Sequence, residues 1–390
     1  MIPALHVDRP PQIPNARALN RRQVLAGAGL LGLAAGLTVP SGGGSTTPGS
    51  SSEAGLAGLA AQKGLFFGTA TQSRYLVDDS AFASLVWREC ACLAPEWEMK
   101  WQPIQPKVGE FSPEGMDRLA DLSSGQGVWL RGHTLFWHES LPDWFNHEVQ
   151  SKDDWNRIVA PYVSFVASRY GAKLRHWDII NEAINPQDKQ AGQLRNWRLS
   201  QLFGEDYIIR AFDLARSSAP EVKLFYNDYG LEYASGWHEE RRTAVLKALE
   251  RWRRADVPIA GFGIQGHLTS QGDTSIPQRR LGKFLSEIAA LGLEIVVSEL
   301  DVGEGNFNQS LAARDQAVAD ETTRFLQVAL DEPAVTGLMT WGLSDRYSWL
   351  TNFHDARNRG LPFDAELQKK PMWHSIAQAL IHAPAHVASK

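Results

Sequence analysis

The chain has 390 residues, 43% hydrophobic and 21% charged, which is enough for one large globular domain or two small ones. Its net charge of −5 offers no basic surface, so nucleic acid is excluded as an expected partner. Cys90 and Cys92 stand too close in sequence for an easy disulfide, and no disulfide framework is expected.

The first sixty residues differ from the rest. "NRRQVLAGAGLLGLAAGL" (20–37) puts Arg21 and Arg22 before an apolar run that is too short and too rich in Gly and Ala to span a bilayer stably. The order of arginines, apolar core and small residues resembles a twin-arginine export signal. A soluble amphipathic N-terminus is the weaker alternative. "SGGGSTTPGSSSEAG" (41–55) reads as a flexible linker or the tail of a pro-segment. The expected organisation is therefore a signal and linker over 1–60 and one folded domain over 61–390. That domain would be periplasmic or secreted, with no stable membrane association once the signal is removed.

From residue 63 onward short apolar runs alternate with amphipathic stretches. The strand-like runs are 64–70, 92–98, 128–133, 176–182, 223–228, 261–267, 294–300 and 336–341. The segment 151–170 carries Trp155, Ile158, Val159, Tyr162, Val163, Phe165 and Val166 on one helical face. The segments 235–254 and 311–330 are periodic in the same way. Eight β-then-α units predict an α/β fold, a single (β/α)8 barrel. A doubly wound open sheet is the alternative, weakened because no Gly-rich dinucleotide fingerprint follows the first run.

The unusual polar residues fall at the ends of these runs. Glu96 closes the second and His133 the third. Asn181 and Glu182 close the fourth, and Asn227 and Asp228 the fifth. Gln265 and His267 close the sixth, Glu299 and Asp301 the seventh, and Trp341 the eighth. The last residue of a strand is often merely solvated, and for any single position that explanation suffices. In a parallel barrel, however, all these ends meet at the face where barrel enzymes keep their active sites. Glu182 and Glu299 form a candidate catalytic pair across the mouth, since two carboxylates can hydrolyse a glycosidic bond. The fourteen tryptophans, all beyond residue 86, suit that reading, because sugar rings offer C–H faces to an indole. Trp155 and Trp252 lie on helical faces and are expected in the core. His133 and His138 do not form a recognised metal-ligand spacing, and neither a metal nor a cofactor is expected.

"WEMKW", "RGHTLFWH", "NEA", "YNDYG", "IQGHL", "SELDV" and "WGLSDRYSW" resemble, in order and over about residues 64–381, the signature segments of glycoside hydrolase family 10, the endo-β-1,4-xylanases. The resemblance implies a retaining enzyme acting on xylan and xylo-oligosaccharides, with Glu182 as general acid/base and Glu299 as nucleophile. His267 would donate to Glu299 and Asp301 would hold His267, while Asn181 would bond the sugar 2-hydroxyl. Glu96, Lys100, His133, Trp137, Gln265, Trp341 and Trp349 would line the glycone side of the cleft. Asn227 and Tyr229 would lie toward the aglycone side. A monomer without a separate carbohydrate-binding module is expected. The alternatives are a specificity shifted to short xylo-oligosaccharides or other β-1,4-glycans, and a non-catalytic carbohydrate-binding barrel, which would need neither glutamate. One position departs from the pattern: Trp97 stands where the family has an asparagine. An indole there is expected to fill part of the second glycone subsite.

Overall fold

The computed structural model describes residues 54–386, apart from 273, 306 and 354–356. The expected export signal and nearly all of the linker lie outside the described residues. Among the described residues nine strands form: β1 (Phe66–Thr71), β2 (Cys92–Pro95), β3 (Trp129–Gly132), β4 (Leu174–Asn181), β5 (Lys223–Asp228), β6 (Gly261–Ile264), β7 (His267–Thr269), β8 (Glu294–Gly303) and β9 (Val335–Thr340). All their pairings are parallel, β1 bonding β2 on one side and β9 on the other, and β6 bonding β8. The sheet therefore closes through eight strands, and the open-sheet alternative falls. β7 resumes the line of β6 two residues further on and pairs with the outer part of β8, opposing His267 to Asp301.

Parallel neighbours need a crossover, and helices supply it. The stretch 236–254 is one helix that buries Ala244, Val245, Ala248, Leu249 and Trp252 at helical spacing. The stretch 311–329 is another. The predicted 151–170 helix differs from the sequence reading: a π-helical turn spans Trp155–Val159, and the α-helix runs only from Ala160 to Tyr170. Pro161 is the physical reason, since it has no N–H to continue the helical ladder at its second position. Trp155 and Trp252 are buried as expected.

Ile179, Leu224, Phe262, Ile295 and Val297 are buried on the outer side of the strands, Phe262 against Phe284 of the 278–290 helix. Inside the barrel Ala70, Cys92, Ala94 and Met339 are enclosed. They form a packed core rather than a pore. The folded unit also reaches further toward the N-terminus than residue 61. A helix over Leu56–Ala61 buries Leu56 and Ala60, and the Leu56 N–H donates to buried Glu89 Oε2 at 3.0 Å.

Candidate active site

The two glutamates arrive at the C-terminal rim in different ways. β4 stops at Asn181, and Glu182 takes a left-handed backbone conformation, φ +59°. A non-glycine residue there costs roughly 1–2 kcal/mol, and its backbone is fixed on both sides. The Glu182 N–H donates to Asn227 O at 2.9 Å, and Arg195 Nε donates to Glu182 O at 2.8 Å. Its carboxylate accepts from Trp137 Nε1 (2.8 Å), Gln265 Nε2 (3.1 Å) and Asn181 Nδ2 (3.3 Å). The strand thus ends on Asn-Glu because the turn projects one carboxylate and the preceding amide steadies it.

Glu299 lies inside β8 and is buried. Asn227 Nδ2 donates to its Oε1 at 2.6 Å and His267 Nε2 to its Oε2 at 3.1 Å, while His133 Nδ1 lies 3.9 Å from Oε1. Burial alone would raise the Glu299 pKa. The positive character of His133 and the bonds from His267 and Asn227 outweigh it, and the pKa falls to about 2. His267 is the counterpart. Burial disfavours its cation, but Asp301, 2.8 Å from Nδ1, together with Glu299, holds it well above the usual imidazole range. The expected relay from Asp301 through His267 to Glu299 is therefore formed, and Asp301 Oδ2 also accepts from Trp349 Nε1 at 2.6 Å.

Around this pair lies the aromatic wall. Lys100 is buried, with its Nζ 4.5 Å from the Trp137 ring centre, 5.7 Å from that of Trp341 and 6.0 Å from that of Trp97. Burial lowers the Lys100 pKa, opposed by Glu299, Glu96 and Glu182. Trp97 is 39% exposed, so its indole walls the cleft beside Lys100. Glu96 follows β2. Burial pushes its pKa up to about 7 against the pull of Lys100. His133 packs edge-on against Trp341, with ring centres 4.9 Å apart.

Asn227 requires a correction. It was expected to face the aglycone sugars, but it is wholly buried. Its Nδ2 donates both to Glu299 and to Asn181 Oδ1 (2.8 Å), and its Oδ1 accepts from Ser298 Oγ at 2.6 Å. No polar atom is left for a sugar. Gly263 makes room for it, since a Cβ there would meet Asn227 Oδ1 at 2.0 Å. Gln265 is almost as enclosed and directs its amide nitrogen at Glu182. Tyr229, by contrast, is half-buried at the rim, and its hydroxyl accepts from Arg195 Nη2 at 3.2 Å.

Several functional groups escaped the sequence reading. Asp178 sits within β4 and accepts from Arg131, while its Oδ2 lies 3.1 Å from His133 Nδ1. The chain Arg131–Asp178–His133 thus orients the imidazole that faces Glu299. The signal was available: two opposite charges inside neighbouring apolar runs. Arg195, which holds both Glu182 and Tyr229, lies in a loop and carries no such signal. Asp228 turned out to serve the fold, pairing with buried Arg241 at 2.5 Å.

The profile of glycosyl hydrolase family 10 matches residues 55–379. Endo-1,4-beta-xylanase 1 of Humicola insolens is 32% identical over 333 residues, covering 83% of this chain and 73% of its own length. Endo-1,4-beta-xylanase A of Fusarium oxysporum is 31% identical over 323 residues, covering 81% and 94%. Among solved structures, xylanase 10B of Thermotoga petrophila in complex with xylobiose aligns with a TM-score of 0.78 at 26% identity, covering 85% of this chain and 98% of that one. The profile match over residues 55–379 and the structural alignment with the solved xylanase agree, and the chain belongs to glycosyl hydrolase family 10.

Proposed function

We propose that the protein is a retaining endo-1,4-β-xylanase, with Glu299 as nucleophile and Glu182 as general acid/base. One observation carries the assignment: Asn227 ties the two glutamates together. Its side chain donates to Glu299 and its carbonyl accepts the Glu182 N–H, so one buried residue holds the carboxylate of one glutamate and the backbone of the other. The depressed pKa keeps Glu299 ionised and ready to attack.

The reaction then runs in two displacements. Glu182 gives its proton to the glycosidic oxygen while Glu299 forms a bond to the anomeric carbon. The C–O bond breaks and the aglycone leaves as an alcohol. Glu182, now a base, takes a proton from water, whose oxygen bonds to the same carbon as Glu299 departs. Glu96, Lys100, His133, Trp137, Trp341 and Trp349 take the glycone sugars, Tyr229 takes the first aglycone sugar, and Asn181 reaches the 2-hydroxyl. The experiment is stereochemical. Proton NMR of fresh xylan or xylohexaose digests should show the β-anomer of the new reducing end first. Initial α-anomer would reject the double displacement.

The export reading belongs to residues outside those described. Arg21 and Arg22 before a short apolar run support passage by the twin-arginine route. No helix among the described residues is long and apolar enough to cross a membrane. With Arg21→Lys and Arg22→Lys combined, the precursor should accumulate in the cytoplasm, as read by fractionation and immunoblot. Normal appearance outside the cytoplasm would reject that route.

A further inference from the structure

We propose that Trp237 is an additional sugar-binding platform on the aglycone side, one step outward from Tyr229, that takes the β-1,4-linked chain beyond the first leaving-group sugar. This rests on the xylanase reading above and extends it.

The path from the chemistry to Trp237 is continuous. Arg195 bonds both the Glu182 carbonyl and the Tyr229 hydroxyl, which places Tyr229 on the side of the group that Glu182 protonates. The Trp237 ring centre lies 6.1 Å from that of Tyr229. One buried guanidinium serves both rings, Arg241 standing 4.3 Å from the Tyr229 centre and 5.2 Å from that of Trp237. The two aromatic groups therefore form one stretch of rim.

The indole is also held in place. Gly230 has φ +68°, and a Cβ built there would meet the outer edge of the Trp237 ring at 2.4 and 2.5 Å. The indole can occupy its position only because residue 230 has no side chain. His238 braces it edge-on, with ring centres 4.8 Å apart and an interplanar angle of 89°, and Ser235 Oγ lies 2.7 Å from His238 Nδ1. Despite these supports the side chain stays 37% exposed. Core packing does not account for it, since Trp252 on the same helix fills the core and Trp237 does not. A rigid, partly exposed indole offers a flat apolar face at little entropic cost, which is what a sugar C–H face needs.

The test compares two efficiencies in each enzyme: kcat/KM on xylohexaose, which reaches past Tyr229, and kcat/KM on an aryl xylobioside, which does not. For Trp237→Ala the ratio of long to short should fall by about three- to tenfold, the scale of one aromatic contact. Cleavage of reducing-end-labelled xylohexaose should shift toward fewer sugars on the aglycone side. Gly230→Asn gives a second route. Asparagine tolerates the left-handed backbone, but its side chain must displace the indole, so the same fall is expected. Trp237→Phe should recover most of the ratio. An unchanged ratio and cleavage pattern in Trp237→Ala, or an equal loss on both substrates, would overturn the platform. If the unmodified enzyme cleaved neither substrate, the xylanase reading itself would fall, and the subsite with it.

Discussion

Glu299→Ala is expected to remove turnover on xylan, xylo-oligosaccharides and aryl xylobiosides alike, by on the order of 10⁵-fold, the scale on which nucleophile deletions act in enzymes with covalent intermediates. The reason lies in what surrounds the carboxylate. His267 and Asn227 donate to its two oxygens, and His133 adds its field. Together they overcome a burial that would otherwise favour the neutral acid, and hold the pKa near 2. Across any ordinary working pH the group is therefore anionic, so its removal deletes an attacking oxygen rather than altering a titration. A good leaving group cannot compensate, because no covalent intermediate can form without Glu299. The check is single-turnover kinetics on an aryl xylobioside with an acidic phenol. Circular dichroism should confirm that the barrel persists, since the residues left behind keep bonds to Asp301, Asn181 and Ser298. A burst of phenol from the alanine enzyme would remove Glu299 from the nucleophile's role.

The sequence made the strand ends legible because polar groups interrupt nearly continuous apolar runs, and a closed parallel barrel brings all those ends to one face. Glu182, Glu299, His267 and Asp301 follow from that rule together with the family resemblance. Direction was not legible. Asn227 and Asp228 are adjacent at one strand end, yet one lies beneath Glu299 and the other pairs with Arg241. Successive residues of a strand point to opposite faces, and which face is the cleft depends on the register of all eight strands. For the same reason a strand end that looks like a sugar contact can instead be the support of a catalytic group. Asp178 is less legible for another reason. A lone carboxylate in "HWDII" reads as part of an apolar strand until the neighbouring strand supplies Arg131 and His133. Contributions such as Arg195, in a loop, and Trp237, in the first turn of the 236–254 helix, depend on where the chain crosses the rim, and neither period nor composition encodes that.

Glu182→Ala should separate the two halves of the reaction. On xylan the leaving alcohol needs a proton, so the efficiency should fall by about 10²- to 10⁴-fold, the usual reach of general acid catalysis. On an aryl xylobioside with an acidic phenol the first step needs no proton, and it should proceed with little loss. The second step still suffers, because no base activates water, so the glycosyl-enzyme should accumulate, with a burst of phenol and a lowered KM. The site then suits rescue by a small anion. Trp137 Nε1, Gln265 Nε2 and Asn181 Nδ2 all point at the Glu182 carboxylate. Arg195 and Asn227 hold the backbone at residue 182, and these bonds do not involve the side chain. Removing the carboxylate therefore leaves a space edged by N–H donors beside the anomeric carbon. Azide needs no base, and it should enter that space, raise the steady-state rate and give the β-xylobiosyl azide, identifiable by mass and NMR. The wild-type enzyme should form none, since its own carboxylate occupies the position and repels the anion. Equal losses on both substrates with no azide product would mean that Glu182 is not the acid/base, and that the turn holding it at φ +59° serves only to close the strand.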